Sequence, residues 1–272
     1  MTAHRLLYDT RYGGMEHAIP QISTPLIDQL MTHRSVRAFR PDAVSDDQLS
    51  AMIAAAQSAA SSSNLQVWSV VAVRDQAVRD QLSELAGNQA HIRQAPLQLV
   101  WLADLSRLER VAAAEGRPSE ALDYTEMFLT AVIDAALAAQ NAVAAAESMG
   151  LSTVYIGGMR NRPEAVAGVL KLPPRTFAVF GMCVGHEDEA RPASVKPRLP
   201  QSAVLHHESY STEQGGAIAE YNAAMARFYE AQKMDVKGSW AIHSAKRVAG
   251  PQSLSGRDRL VDALKALGFS LK

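Results

Sequence analysis

His33-Arg34-Ser35-Val36-Arg37-Ala38-Phe39 places two arginines, a histidine and a hydroxyl within five positions. Just ahead of it, Leu26, Ile27, Leu30 and Met31 follow helical spacing. This predicts a helix that opens at Leu26 and carries Arg34 and Arg37 one turn apart on one face. Two guanidiniums on one face match the oxygens of a phosphate as lysines do not, and Ser35 adds a neutral donor. The competing reading is a solvated basic turn. What tips the balance lies far downstream, at Lys196-Pro197-Arg198. There Pro197 pushes Lys196 into an extended conformation and favours Lys196 and Arg198 pointing to the same side, as a rigid two-cation prong.

Working outward, 272 residues at 47% hydrophobic content suffice to bury a full core. The net charge of -1, with basic residues scattered, leaves no footprint for nucleic acid or an anionic membrane. Cys183, the one cysteine, lies in the apolar run 177–185 and reads as a buried thiol, which excludes disulfides within the chain. The N-terminus lacks the layout of a signal peptide, and no apolar stretch is expected to reach the roughly 20 residues that a bilayer needs. The expected location is cytoplasmic.

In chain order, residues 1–25 mix Arg, Tyr, Gly, Pro and Thr without a period and read as a surface arm. Ser45-Asp-Asp-Gln48 has the form of a capping box opening a second helix. Ser61-Ser62-Ser63-Asn64-Leu65-Gln66 puts five polar residues in six between that helix and a strand at 68–73. A plain linker explains the serines but not the amides that follow at Asn64 and Gln66. Residues 75–94 read as a helix with a turn at Gly87-Asn88, 96–103 as a second strand, and 104–118 as a polar, partly helical excursion. The alanine-rich period from about Leu122 to Met149 predicts a long helix buried on most sides, in the core or against a second copy, ending at Gly150. A strand at 151–158 closes on Gly157-Gly158, which suits a turn or a backbone lying flat against a planar ligand. The last strand is 177–185, and helical pattern returns at 212–234 and 254–267.

Several chemistries drop out. The histidines lack H-E-x-x-H spacing, so no metal is expected, and G-x-S-x-G, the phosphate loop and the dinucleotide fingerprint are all missing. Amides, hydroxyls and cations at segment ends, without an acid–base pair, suit a bound cofactor that brings its own chemistry.

Six motifs, in order across about residues 26–210, resemble the nitroreductase family, in particular its NADPH-linked flavin reductase and oxygen-insensitive nitroreductase branch. They are His33–Phe39, Ala59–Gln66, Gly87–His91, Ala139-Gln-Asn141 with Ala146–Leu151, Val154–Gly158 and Lys196–Pro200. The C-terminal helices match in layout only. The resemblance implies an α+β sandwich with a central, mainly antiparallel sheet flanked by helices. It also implies a homodimer with active sites at the subunit interface, its core the alanine-rich helix. It divides the chain into the arm 1–25, an FMN-binding core 26–210 and a helical extension 211–272 packing on core and partner.

By the same resemblance, His33, Arg34, Ser35 and Arg37 hold the FMN phosphate and ribityl chain, joined by Lys196 and Arg198. Ser61, Ser62, Ser63 and Gln66 line the flavin, Gln89 reads its polar edge, and Tyr155, Ile156, Gly157 and Gly158 lie along the ring. The implied activity is ping-pong hydride transfer from NADPH to a nitroaromatic, quinone or free flavin, with no catalytic side chain beyond the cofactor. Open alternatives are a flavin reductase feeding a partner, a dehalogenating or flavin-degrading enzyme of this fold, and a flavin-storing or redox-sensing protein. One departure concerns the co-substrate. Where the branch carries arginines for the 2'-phosphate of NADPH, this chain has Gln232-Lys233-Met-Asp-Val-Lys237-Gly238-Ser-Trp240, so NADPH is expected with some tolerance for NADH.

Overall fold

A computed structural model of the chain describes residues 3–272. In chain order the elements are α1 (Ala3–Tyr12), α2 (Pro25–Met31), α3 (Asp46–Gln57), β1 (Trp68–Val73), α4 (Gln76–Leu85), α5 (Ala90–Gln94), β2 (Leu97–Asp104), α6 (Ser106–Ala114), α7 (Thr125–Ser148), β3 (Ser152–Ile156), α8 (Pro163–Leu170), β4 (Thr176–Gly185), α9 (Gly215–Ala231), α10 (Trp240–Arg247) and α11 (Leu260–Ala266). They form two compact units. One takes the chain up to Arg34 with Ser194–Leu254, the other Ser35–Ala193 with Ser255–Lys272.

The second unit holds an antiparallel sheet of order β1-β2-β4-β3. All eight residues of β2 are buried, because side chains alternate between two covered faces. Leu97, Leu99 and Trp101 join the alanines of α7 and Met52 of α3, while Val100 and Leu102 join Leu82, Ile92 and Val166. The architecture is therefore α+β, with helices on both faces of the sheet. Ser45 Oγ accepts from Gln48 N (3.1 Å) while Ser45 N donates to the Gln48 side chain (3.0 Å), the capping box legible in the sequence.

The small side chains Ala138, Ala139, Ala142 and Ala146 bring α7 close to the sheet. It ends where Gly150, at φ +75°, lets Gly150 N reach Glu147 O and Leu151 N reach Ala146 O. By length and composition α7 is apolar enough to cross a membrane, which corrects the expectation that no stretch reaches that length. Its alanine face nevertheless lies in the core beneath the sheet. On its other side Leu129, Ile133 and Leu137, four residues apart, are 50%, 56% and 44% exposed.

Two further expectations are corrected. Residues 3–12 are helix where an irregular arm is expected, with Tyr8 and Arg11 buried; the arm's first two positions lie outside the described residues. The helix opening near Leu26 stops at Met31, so Arg34 and Arg37 do not share a helical face. The chain runs extended instead, because Ser35 bridges Thr153, Phe39 bridges Glu187, and Val36 and Phe39 enter the core. Buried Val36 and Ala38 alternate with exposed Ser35 and Arg37, which puts Arg37 on the side of Ser35.

Cys183 is buried, and desolvation pushes its thiol up to about 12. It should resist a thiol reagent at pH 8 in the native protein and react only on unfolding, since thiolate is the reactive form. Stoichiometric labelling without denaturant would contradict the placement.

Candidate functional site

In the first unit, segments far apart in sequence are clamped by one side chain. The Arg11 guanidinium donates to Met31 O (2.8 Å), His33 O (2.7 Å) and Lys196 O (3.3 Å), while its own carbonyl accepts from Arg198 N (3.0 Å). The segments carrying His33-Arg34 and Lys196-Arg198 thus lie side by side. Lys196 and Arg198 are exposed with Pro197 buried between them, as the extended reading requires. Tyr221 on α9 donates its hydroxyl to Pro197 O (3.0 Å), and Lys196 Nζ lies 6.0 Å from the Phe228 ring centroid. An imidazole, two guanidiniums and an ammonium on neighbouring segments suit the oxygens of a phosphate dianion.

In the second unit, the serine-rich turn is built on a buried carboxylate that the sequence reading missed. Asp134 on α7, 2% exposed, accepts from Ser61 Oγ (2.6 Å), Ser62 N (3.3 Å) and Val67 N (3.3 Å). Ser61 Oγ in turn accepts from Gln66 N (2.8 Å), so its hydroxyl is turned inward while Ser62, Ser63 and Gln66 stay exposed. Ser63, Asn64 and Gln66 all have positive φ, and Arg107 of α6 holds Gln66 O (2.7 Å). Strained residues persist only where their surroundings over-determine them. The only signal for Asp134 in the sequence is a carboxylate in the middle of an alanine-rich helix.

Gln89 and Gly158 come together from separate segments. A Cβ on Gly158 would lie 2.6 Å from Ala86 O and 2.7 Å from Gln89 Nε2, whose amide donates to Ala86 O (2.8 Å). Close backbone approach is therefore what demands glycine at 158. Gly158→Ala should cost about 1–3 kcal/mol through overpacking, read as a lower melting temperature; an unchanged melt would count against this packing. Gly157 faces Arg160 and Arg257, two cations that the sequence reading also passed over. Burial, then repulsion from Arg257, holds the Arg160 guanidinium below its ordinary range. Ile156 is buried in the core, and Tyr155 packs edge-on to Phe180 with its hydroxyl near Gln140 (3.4 Å). Arg37 lies near His91, whose imidazole is held below its usual range by burial first and this positive charge second.

Comparison with known proteins matches the nitroreductase family model to residues 30–186 and the family's C-terminal domain to residues 196–272. The chain belongs to the nitroreductase family. The second match takes in the C-terminal helices, which the motifs followed in layout only. Among relatives of this nitroreductase-family chain, the NADPH-flavin oxidoreductase of Vibrio harveyi is 37% identical over 82% of this chain and 91% of its own length. The FMN reductase (NADPH) of Bacillus subtilis is 41% identical over 68% of this chain and 74% of its own. The solved structure of B. megaterium NfrA2 covers 92% of this chain and all of its own, with a TM-score of 0.86 at 37% identity.

Proposed function

We propose that this chain is an FMN-dependent oxidoreductase that takes hydride from NADPH and passes electrons to a nitroaromatic, quinone or flavin acceptor in a ping-pong cycle. The observation that carries the reading is the Arg11 clamp, which sets His33-Arg34 beside Lys196-Arg198 although 162 positions separate Arg34 from Lys196 (196 minus 34). Relatives named for NADPH and for FMN support it. When bound, FMN supplies the hydride-accepting and electron-donating chemistry, and the protein supplies position and charge. His33, Arg34, Lys196 and Arg198 would hold the phosphate, and Ser35 and Arg37 the ribityl chain. Ser61, Ser62, Ser63 and Gln66 would line the flavin, Gln89 would bind its polar edge, and the backbone from Tyr155 through Gly158, Ile156 and Gly157 included, would run along the ring. An absorbance spectrum of the purified protein before and after NADPH, with the flavin then released and identified, tests this. A colourless protein that takes up no FMN would refute it.

We place the enzyme in the cytoplasm as a homodimer. The exposed Leu129, Ile133 and Leu137 stripe on α7 is the apolar face that a second copy would cover. Light scattering should give twice the chain mass of 29.3 kDa.

Lys233 and Lys237 lie exposed on the loop between α9 and α10. As point charges they select the 2'-phosphate with less geometric strictness than arginine forks. The kcat/KM for NADPH should therefore exceed that for NADH by less than about a thousandfold, roughly 4 kcal/mol. Steady-state rates with both nucleotides decide it.

A further inference from the structure

We infer that Arg11 is a positioning residue for the phosphate of the bound flavin, and that α1, which lies ahead of the first family match at residue 30, serves as a brace for the phosphate cradle. The inference rests on the proposed reading of His33, Arg34, Lys196 and Arg198 as that cradle. Arg11 is 7% exposed, and its guanidinium donates to main-chain carbonyls of two segments, while its own carbonyl takes Arg198 N. A planar fork suits this role, since it can reach carbonyls on both segments at once where an ammonium cannot keep the same geometry.

Cations gathered for one anion repel one another until it arrives. Unless something else holds their segments together, binding must first bring them back into register. Arg11 removes that cost without touching the phosphate.

A second contact acts on the same prong. Gly13, directly after α1 at φ +60°, lies so close to the proline between the two cations that a Cβ there would come 2.8 Å from Pro197 Cγ. A methyl group at this position would press on Lys196-Pro197-Arg198 while leaving the Arg11 side chain chemically intact.

The test titrates full-length apoprotein with FMN and with riboflavin, which lacks the phosphate, following flavin fluorescence. It compares wild type with Arg11→Met, Arg11→Lys, Gly13→Ala and, as a control in the cradle itself, Arg34→Met. Arg11→Met should weaken FMN roughly 10- to 100-fold and leave riboflavin within about threefold, with Arg11→Lys in between. Gly13→Ala should lose FMN selectively as well. If wild type holds FMN no tighter than riboflavin, the cradle reading fails, and the brace with it. If Arg34→Met loses the preference for FMN while Arg11→Met keeps it, the cradle stands and the brace is overturned. Equal weakening of both flavins by Arg11→Met would also overturn it, because a merely structural role moves both together. Should Arg11→Met fail to fold, Arg11→Lys decides by the same comparison.

Discussion

Asp134→Ala is expected to destabilise the apoprotein by about 3–5 kcal/mol, because it strands three donors around a site nearly closed to water. The Ser61 hydroxyl, Ser62 N–H and Val67 N–H all lose their acceptor, and Val67 itself is fully buried. The same carboxylate over-determines a turn in which Ser63, Asn64 and Gln66 sit at positive φ, so its loss releases the loop as well as exposing unmet donors. In a thermal melt this should read as a drop of roughly 10 °C. Asp134→Asn keeps one acceptor oxygen and should lose about half as much. If the turn lines the flavin as proposed, FMN affinity should fall in parallel. A melt within a degree of wild type for Asp134→Ala would show that the turn holds without its buried acceptor.

The second large effect is expected from removing one cation on each side of the clamp. On the proposed reading, Arg34→Met with Lys196→Met would take away two charge-assisted contacts to the phosphate, each about 1.5–3 kcal/mol. FMN affinity should fall by a factor on the order of a hundred to ten thousand. The salt response separates this from general damage. Wild-type affinity for FMN should weaken as ionic strength rises, because exposed charges are screened, and the double variant should respond much less. Riboflavin, lacking the phosphate, should be indifferent to both changes. A double variant that binds FMN as wild type does would remove these residues from the phosphate's surroundings.

The parts legible in the sequence are those governed by near neighbours. The four apolar runs became β1, β2, β3 and β4 with ends within about two residues, because a fully covered strand needs only an unbroken apolar segment of the right length. Ser45 and Gln48 formed the capping box and Gly150 ended α7, since both devices act within one helical turn. The cations at Arg34, Arg37, Lys196 and Arg198 could be named as phosphate-binding candidates because their chemistry is independent of their neighbours.

What went unread depends on distant contacts. The extended run after Arg34 contradicts the local helical pattern because Thr153 and the core draw Ser35 and Val36 away from it. α1 has no clear apolar period, and one of its two buried residues, Arg11, turns inward to segments 20 to 185 positions away. Asp134 looks like one polar residue in an alanine helix until Ser61, Ser62 and Val67 close around it. By itself the sequence determined the strands, the start of α3, the end of α7, the family and which side chains carry charge, since spacing and residue type suffice for these. Only the tertiary structure decided which cations stand together and what holds them, because a buried guanidinium or carboxylate finds its partners through chain folding and leaves no periodic trace along the chain.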